Sequence, residues 1–172
     1  LLIMTLSYFA DMDFISPDDC VLHAAPLSHG SGLYAIPNVG KAAMHVIPAA
    51  RSFDPQMILQ TVEQYRVTNM FIAPTMVKLL VDSPAIDQYD HSSLKAMIYG
   101  GGPMLVEDLT NAIEKFWPCL VQLYGQGESP MTISYLPHLD HVLTGAEMQM
   151  THLASVGMTR ADLEFALFGG GD

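Results

Sequence analysis

The sequence of 172 residues has few basic side chains and few charged side chains of either sign. Only 7 residues are lysine or arginine, against 18 aspartates and glutamates, which gives a formal net charge of −11. Nucleic acids are bound through clustered basic side chains, whereas the seven here are scattered singly, so a nucleic-acid partner is not expected. Because half of the residues are hydrophobic, the composition also excludes an acidic disordered tail.

A disulfide framework and a membrane-spanning stretch are lacking as well. Cys20 and Cys119 stand alone in apolar runs, which is typical of buried, reduced thiols and favours a cytoplasmic location. The longest stretch without a charged residue, 20–40, contains two prolines and two histidines. It therefore does not predict a transmembrane helix.

Short apolar runs alternate with helical patterns along the chain. Strands are predicted at 21–25, 44–47, 67–73, 94–99 and 119–124. Helices are predicted from Leu1, from Pro55 behind an Asp54 cap, from Thr75 and from Leu105 to Phe116. This alternation predicts an α/β fold: a mostly parallel sheet with helices on both faces.

Both ends of the sequence suggest that it belongs to a longer polypeptide. The first helix has no capping residue, and its apolar residues, Leu1, Leu2, Ile3, Leu6 and Phe9, have the spacing of a buried stripe. At the other end an alternating pattern over 163–167, followed by three glycines at 169–171, predicts the start of a β-hairpin. We expect an α/β subdomain over 1–150, the start of a β-rich subdomain over 151–172, and further functional parts outside the chain.

Three glycine-rich loops follow predicted strands. They have the sequences PLSHGSG at 26–32, YGGGP at 99–103 and YGQGE at 124–128. In open parallel sheets, ligands bind beyond the carboxyl ends of the strands. Glycines at that place let the main chain approach a flat or phosphorylated ligand, although three glycines also suit a tight strand-to-helix turn.

Several side chains near these loops have two interpretations. Glu128 has the chemistry of a magnesium ligand beside substrate phosphates, or of an ordinary helix cap. Tyr124 is either a stacking platform or a core residue. His29 lies among small residues and is neither clearly packed nor clearly a ligand. His138, Asp140 and His141 suggest either a metal site or, with no fourth ligand at zinc spacing, a solvated turn.

Taken together and in this order, the three loops resemble those of AMP-forming acyl-CoA synthetases in the adenylate-forming (ANL) superfamily. The resemblance covers nearly the whole chain, because it includes FDP at 53–55, FIAPT at 71–75 and SVG at 155–157. It implies activation of a carboxylic acid with ATP and Mg²⁺ to an acyl-adenylate and pyrophosphate, followed by acyl transfer to coenzyme A. Two alternatives stay open: transfer to another acceptor, and a non-catalytic nucleotide-binding or scaffold module.

The resemblance also implies a role for each loop. Gly100, Gly101, Gly102 and Pro103 would line the adenine and acyl pocket. Tyr124 would stack near adenine, with Gly125, Gln126 and Gly127 beside the nucleotide. Glu128 would bind Mg²⁺. His29 would lie at the substrate carboxylate, with Gly30, Ser31 and Leu33 on the wall of the acyl pocket.

Gly127 departs from the family pattern, in which a threonine or serine usually precedes the glutamate and contacts the α-phosphate. A lost hydrogen bond to a charged group costs roughly 1.5–3 kcal/mol, so slower adenylation is expected unless Ser129 supplies the hydroxyl. The phosphate-gripping loop and the small C-terminal domain of such enzymes are not recognisable in this sequence, and we expect the chain alone to be inactive. The small residues at 30–32 leave room for an aryl or a medium to long acyl chain.

Overall fold

The structure is a computed structural model that describes residues 1–49, 52–116, 118–130, 133–143, 147–164 and 166. Within these ranges, seven strands form one sheet in the order β2-β1-β3-β4-β5-β6-β7. The strands are β1 (Cys20–Leu22), β2 (Met44–Val46), β3 (Asn69–Ile72), β4 (Ala96–Gly100), β5 (Leu120–Tyr124), β6 (Ser134–Leu136) and β7 (Met158–Thr159). The first five strands pair in parallel, and β6 and β7 continue the sheet antiparallel.

Helices cover both faces of this sheet, which confirms the predicted α/β class. They are α1 (Leu2–Asp11), α2 (Gly30–Gly40), α3 (Pro55–Tyr65), α4 (Pro74–Val81), α5 (Val106–Phe116) and α6 (Glu147–Leu153). Side chains of α3, α4 and α5 form one buried cluster with Met97 and Leu120, and side chains of α1 and α2 form a second with Ile98 and Val121. Successive strand residues point to opposite faces, so the central strands β3, β4 and β5 contribute to both clusters.

The predicted helix starts agree with the structure to within one residue at α3, α4 and α5. At α3 the Asp54 carboxylate accepts hydrogen bonds from the amides of Gln56 and Met57, at 3.0 and 3.4 Å. Pro55 occupies the first helical position, where its missing N–H is not needed. The helix ends at Tyr65, and the next residue, Arg66, caps it in the left-handed conformation with φ 51°.

The first helix is present, but the prediction of its buried face was wrong at four of the five residues, and only Phe9 packs against the core. Met4, Ser7 and Tyr8 are buried, whereas Leu1, Leu2, Ile3 and Leu6 are exposed. The helix packs through the Tyr8 ring, whose centroid lies 5.3 Å from that of Tyr34 in α2. Contact with α2 therefore decides the orientation of α1, and the more apolar stripe faces outward.

Helix α2 contradicts the prediction of a continuous loop over 26–32, because it begins at Gly30. Its glycines and Pro37 give it a low helix propensity. Its buried side carries Ser31, Tyr34, Pro37 and Asn38 rather than a hydrocarbon stripe. The Asn38 amide donates to the Tyr34 carbonyl at 2.9 Å and accepts from Asn69 of β3 at 3.2 Å. The polar contacts of Asn38 thus act together with the Tyr34 ring, which packs on Phe71, to hold this helix on the sheet, and hydrophobic periodicity does not detect the helix.

Several other expectations concern the cysteines, the membrane and the C-terminal end. Cys20 and Cys119 are buried and free, as predicted. Burial raises the pKa of the Cys119 thiol to about 12 and, together with the Asp19 carboxylate, that of Cys20 to about 11. No helix in the described ranges combines the length and the apolar character needed to cross a membrane. The hairpin predicted over 163–172 lies largely outside the described residues, and the division after residue 150 stays a prediction.

Candidate functional site

One cavity of about 460 Å³ opens where β1, β3, β4 and β5 end. Its wall includes eight of the residues singled out from the sequence: His29, Gly30, Leu33, Gly100, Gly101, Gly125, Gln126 and Gly127. The rest of the wall is formed by Ala25, Pro26, Phe71, Ala73, Met76, Leu123 and Pro130. The structure therefore brings segments of all three glycine-rich loops to one cleft. This cleft lies beyond the carboxyl ends of the parallel strands, where open α/β sheets bind their ligands.

The first turn of α2 forms one side of this cavity. His29 is the residue that precedes the helix, and its ring is exposed. The ring forms a hydrogen bond with Ser28, in which Nδ1 lies 2.9 Å from Oγ. Gly30 packs directly on the Phe71 ring, and a Cβ at this position would overlap that ring. A glycine is required here because the helix approaches the end of β3 so closely.

The glycines after β4 and β5 leave main chain exposed to the cavity. Gly101 has φ 82°, which favours glycine, and a Cβ added there or at Gly127 would meet no atom within 4 Å. At Gly100 a Cβ would instead lie 2.5 Å from the Leu123 carbonyl oxygen, because β4 and β5 run close together. The open main chain at Gly101 and Gly127 fits the approach of a flat or phosphorylated ligand.

Glu128 follows Gly127, the last wall residue of its turn, and its side chain is exposed. Reciprocal backbone hydrogen bonds between Gln126 and Ser129, at 3.2 and 3.1 Å, close the turn that carries it. Among the described residues, the Glu128 carboxylate has no hydrogen-bond or ion-pair partner, and no group of three or more His, Cys, Asp or Glu side chains could hold a metal. Glu128 is thus suited to be a single protein ligand of Mg²⁺, which usually keeps waters and substrate phosphates as its other ligands.

Five other residues singled out from the sequence are not part of the cavity wall. Gly102, Pro103 and Glu128 are exposed beside it. Tyr124 is half-buried, and its hydroxyl accepts a hydrogen bond from Gln126 Nε2 at 2.7 Å. Ser31 is buried under α2, where its Oγ lies 2.8 Å from His23 Nδ1.

Sequence reasoning assigned no pocket role to Phe71 or Met76, although both line the cavity. Phe71 lies in β3 and Met76 in the first turn of α4, directly behind that strand. Because β3 lies between β1 and β4 in the sheet, its end must open between the loops that follow those two strands. The apolar segment before Pro74 predicts a strand in the sequence. It indicates a pocket residue only once the order of the strands in the sheet is known.

Tyr99, directly before the Gly100–Gly102 turn, forms a buried hydrogen-bonded pair with His141. The Tyr99 hydroxyl donates to His141 Nε2 at 2.9 Å, and His141 Nδ1 donates to the Pro137 carbonyl at 2.9 Å. His141 is fully buried, so the prediction of a solvated turn is wrong at this residue. Burial lowers the pKa of His141 from 6.5 to about 4 and raises the pKa of Tyr99.

This pair predicts a loss of stability in mild acid. Above pH 6.5 the His141 imidazole is neutral in the folded and in the unfolded chain. Between pH 6.5 and about pH 4 it is protonated in the unfolded chain but stays neutral in the folded chain. Between about pH 6.5 and pH 5 the contribution of His141 should cost roughly 2 kcal/mol of unfolding free energy. Urea denaturation of the His141→Asn variant should show a flatter acid limb than the parent chain. Equal slopes in the two chains would contradict the assignment.

Comparisons with known proteins agree with this arrangement. The family model described as AMP-binding enzyme matches residues 2–168. A medium/long-chain-fatty-acid–CoA ligase of Mycobacterium tuberculosis is 37% identical over 120 residues, which is 70% of this chain and 21% of that protein. A feruloyl-CoA synthase of an Amycolatopsis species is 32% identical over 117 residues, 67% of this chain and 23% of that protein.

Among solved structures, the amide bond synthetase McbA of Marinactinospora thermotolerans superimposes with a TM-score of 0.81 at 26% identity, covering 93% of this chain and 30% of that one. The chain thus spans less than a third of the length of these relatives. Since the family model matches nearly every residue, the chain belongs to the AMP-binding enzyme family, as its resemblance to the adenylate-forming ANL superfamily predicted.

Proposed function

We propose that the chain is part of an AMP-forming carboxylic acid:CoA ligase and supplies the nucleotide-facing and acyl-facing walls of its active site. In the first step a carboxylate oxygen attacks the α-phosphorus of ATP and pyrophosphate leaves. In the second step the thiol of coenzyme A attacks the acyl carbonyl and AMP leaves. The fatty-acid–CoA ligase and feruloyl-CoA synthase among the relatives support this reaction type, and the buried thiols are compatible with a cytoplasmic location.

The cavity that joins His29, Gly101 and Gly127 is the observation that carries this proposal. The main chain of the glycine turns would position the nucleotide, and the α2 side would hold the acid, so that the reacting oxygen faces the α-phosphorus. Positioning of this kind is the main contribution of protein to such a displacement. A bound Mg²⁺ would neutralise phosphate charge, with Glu128 as its protein ligand.

The proposal is tested by pyrophosphate release with ATP and a panel of carboxylic acids. The assay is made on this chain and on any longer polypeptide of which it is a part, because the chain spans about a fifth of the fatty-acid–CoA ligase. Acid-dependent release by the longer polypeptide is expected, with the chain alone inactive. ATP binding without release for every acid would favour the non-catalytic module instead.

In the longer polypeptide, replacing Glu128 with Gln should lower kcat/KM for ATP about tenfold, since a neutral amide is a poorer ligand for Mg²⁺ than a carboxylate. The loss should shrink as the Mg²⁺ concentration rises. Glu114→Gln is the matched control, because Glu114 is exposed on α5 away from the cavity wall. An unchanged Mg²⁺ dependence in the Glu128 variant would refute its assignment as a metal ligand.

A second candidate acceptor is an amine rather than coenzyme A. The fold similarity to an amide bond synthetase favours this possibility. Adding coenzyme A or a panel of primary amines to the longer polypeptide with ATP and an accepted acid, followed by mass spectrometry of the products, distinguishes a thioester from an amide.

A further inference from the structure

Buried His23 and Ser31 and half-buried His45 form a hydrogen-bonded chain between the sheet and α2. His23 follows β1 and is only 5% exposed. Its Nδ1 lies 2.8 Å from Ser31 Oγ, and its Nε2 lies 2.9 Å from Nδ1 of His45 in β2. The planes of the two imidazole rings are inclined by only 21°, and their centroids lie 5.1 Å apart.

The direction of this chain follows from its far end. His45 Nε2 is buried and has no hydrogen-bond partner among the described residues. Buried N–H groups without an acceptor are rarer than buried acceptors without a donor, so this nitrogen carries the lone pair. His45 Nδ1–H then donates to His23 Nε2, and His23 Nδ1–H donates to Ser31 Oγ. Burial lowers the pKa of His23, helped by the neighbouring His45, and burial also lowers that of His45, which agrees with two neutral rings.

The first turn of α2 has one buried side chain, that of Ser31, to fix its orientation, beside the main-chain contacts of Gly30 with the Phe71 ring and of Gly32 with the Leu27 carbonyl. Gly30 and Gly32 offer no side chains to pack, and Ser31 between them is buried. The same turn carries His29 and Gly30 to the wall of the 460 Å³ cavity. A rotation of this turn would therefore move the residues proposed to face the acid, while the glycine turns after β4 and β5 would stay in place.

We propose that His23 and His45 are positioning residues, which set the orientation of the first turn of α2 and thereby the acid-facing wall of the cavity. This inference rests on the proposed ligase function only for its kinetic consequence. The hydrogen-bond chain itself is a property of the chain and is measured without any substrate.

The direct test is the tautomer of each ring, read from the imidazole nitrogen shifts and long-range couplings in an NMR spectrum of the ¹⁵N-labelled chain near neutral pH. His23 and His45 should both carry their proton on Nδ1. Replacing Ser31 with Ala should shift the His23 Nδ1 resonance, whereas His138→Asn should not. A proton on Nε2 of His23 would overturn the proposed direction, and an unchanged His23 spectrum in the Ser31 variant would overturn the contact.

The kinetic test uses the longer polypeptide with an accepted acid. His45→Ala should raise KM for the acid about tenfold with KM for ATP unchanged, because only one wall of the cavity moves. His45→Asn should restore most of the affinity, since its amide places a donor near the position of Nδ1. An equal effect of both variants, or an effect on ATP alone, would overturn the positioning role. Absence of ligase activity would instead contradict the proposed function and leave the tautomer measurement to decide this inference.

Discussion

Replacement of Asp11 with Ala is expected to lower the free energy of unfolding by about 3–5 kcal/mol, because the buried guanidinium of Arg160 loses the carboxylate that balances its charge. The Asp11 carboxylate accepts hydrogen bonds from Arg160 Nε at 2.8 Å and from the Ala161 amide at 3.0 Å. The side chain of Arg160 is only 1% exposed, and that of Asp11 10%. The guanidinium also lies over the Tyr135 ring, 5.5 Å from its centroid, but a ring does not replace a carboxylate.

Urea denaturation of the chain measures this loss, with Asp18→Ala as the matched control. Asp18 is exposed, and its replacement should change stability by no more than about 0.5 kcal/mol. The double replacement Asp11→Leu and Arg160→Met should recover much of the loss, because apolar residues of similar volume avoid the cost of burying charge. A loss below about 1 kcal/mol in the Asp11 variant would show that other contacts of Arg160 are sufficient.

The extent to which the fold could be predicted from sequence depends on how local each signal is. Continuous apolar runs and the Asp54–Pro55 cap are local, and the strands and three helices follow from them. Since the strands are parallel, the cluster of glycine loops at one edge also follows. Helix α2 does not, because Asn38 and Ser31 are held by partners on β3 and after β1, and a polar buried face looks like a loop.

The site shows the same limit. His29, Gly101 and Gly127 could be placed by their loops, whereas Phe71 depends on the strand order. His141 looked solvated beside Pro137 because Tyr99, which binds its ring, is 42 residues away. The ion pair of Asp11 with Arg160 joins residues 149 positions apart. Such partners leave no periodic pattern, so only the three-dimensional structure reveals them.

Replacement of Gly157 with Ala is expected to cost about 3–4 kcal/mol, because two separate penalties act at this position. Gly157 has φ 74°, a conformation that side chains disfavour, and a Cβ there would overlap the Tyr135 carbonyl group. Tyr135 cannot easily move away, since β6 is paired with Leu123 of β5 on one side and with Met158 of β7 on the other. The glycine of the SVG segment thus allows β7 to start immediately beside β6.

A series of three glycine variants separates the two penalties. Gly101 has φ 82° but open space around a Cβ, so Gly101→Ala should cost only the conformational penalty of roughly 1–2 kcal/mol. Gly40 has neither a positive φ nor a neighbour within 4 Å, and Gly40→Ala should be neutral or stabilising by up to about 1 kcal/mol. Urea denaturation of the three variants should therefore rank Gly157, Gly101 and Gly40 in decreasing order of loss. If Gly157→Ala cost no more than Gly101→Ala, the close approach of residue 157 to the β6 carbonyl would be wrong, and the packing of β7 on the sheet with it.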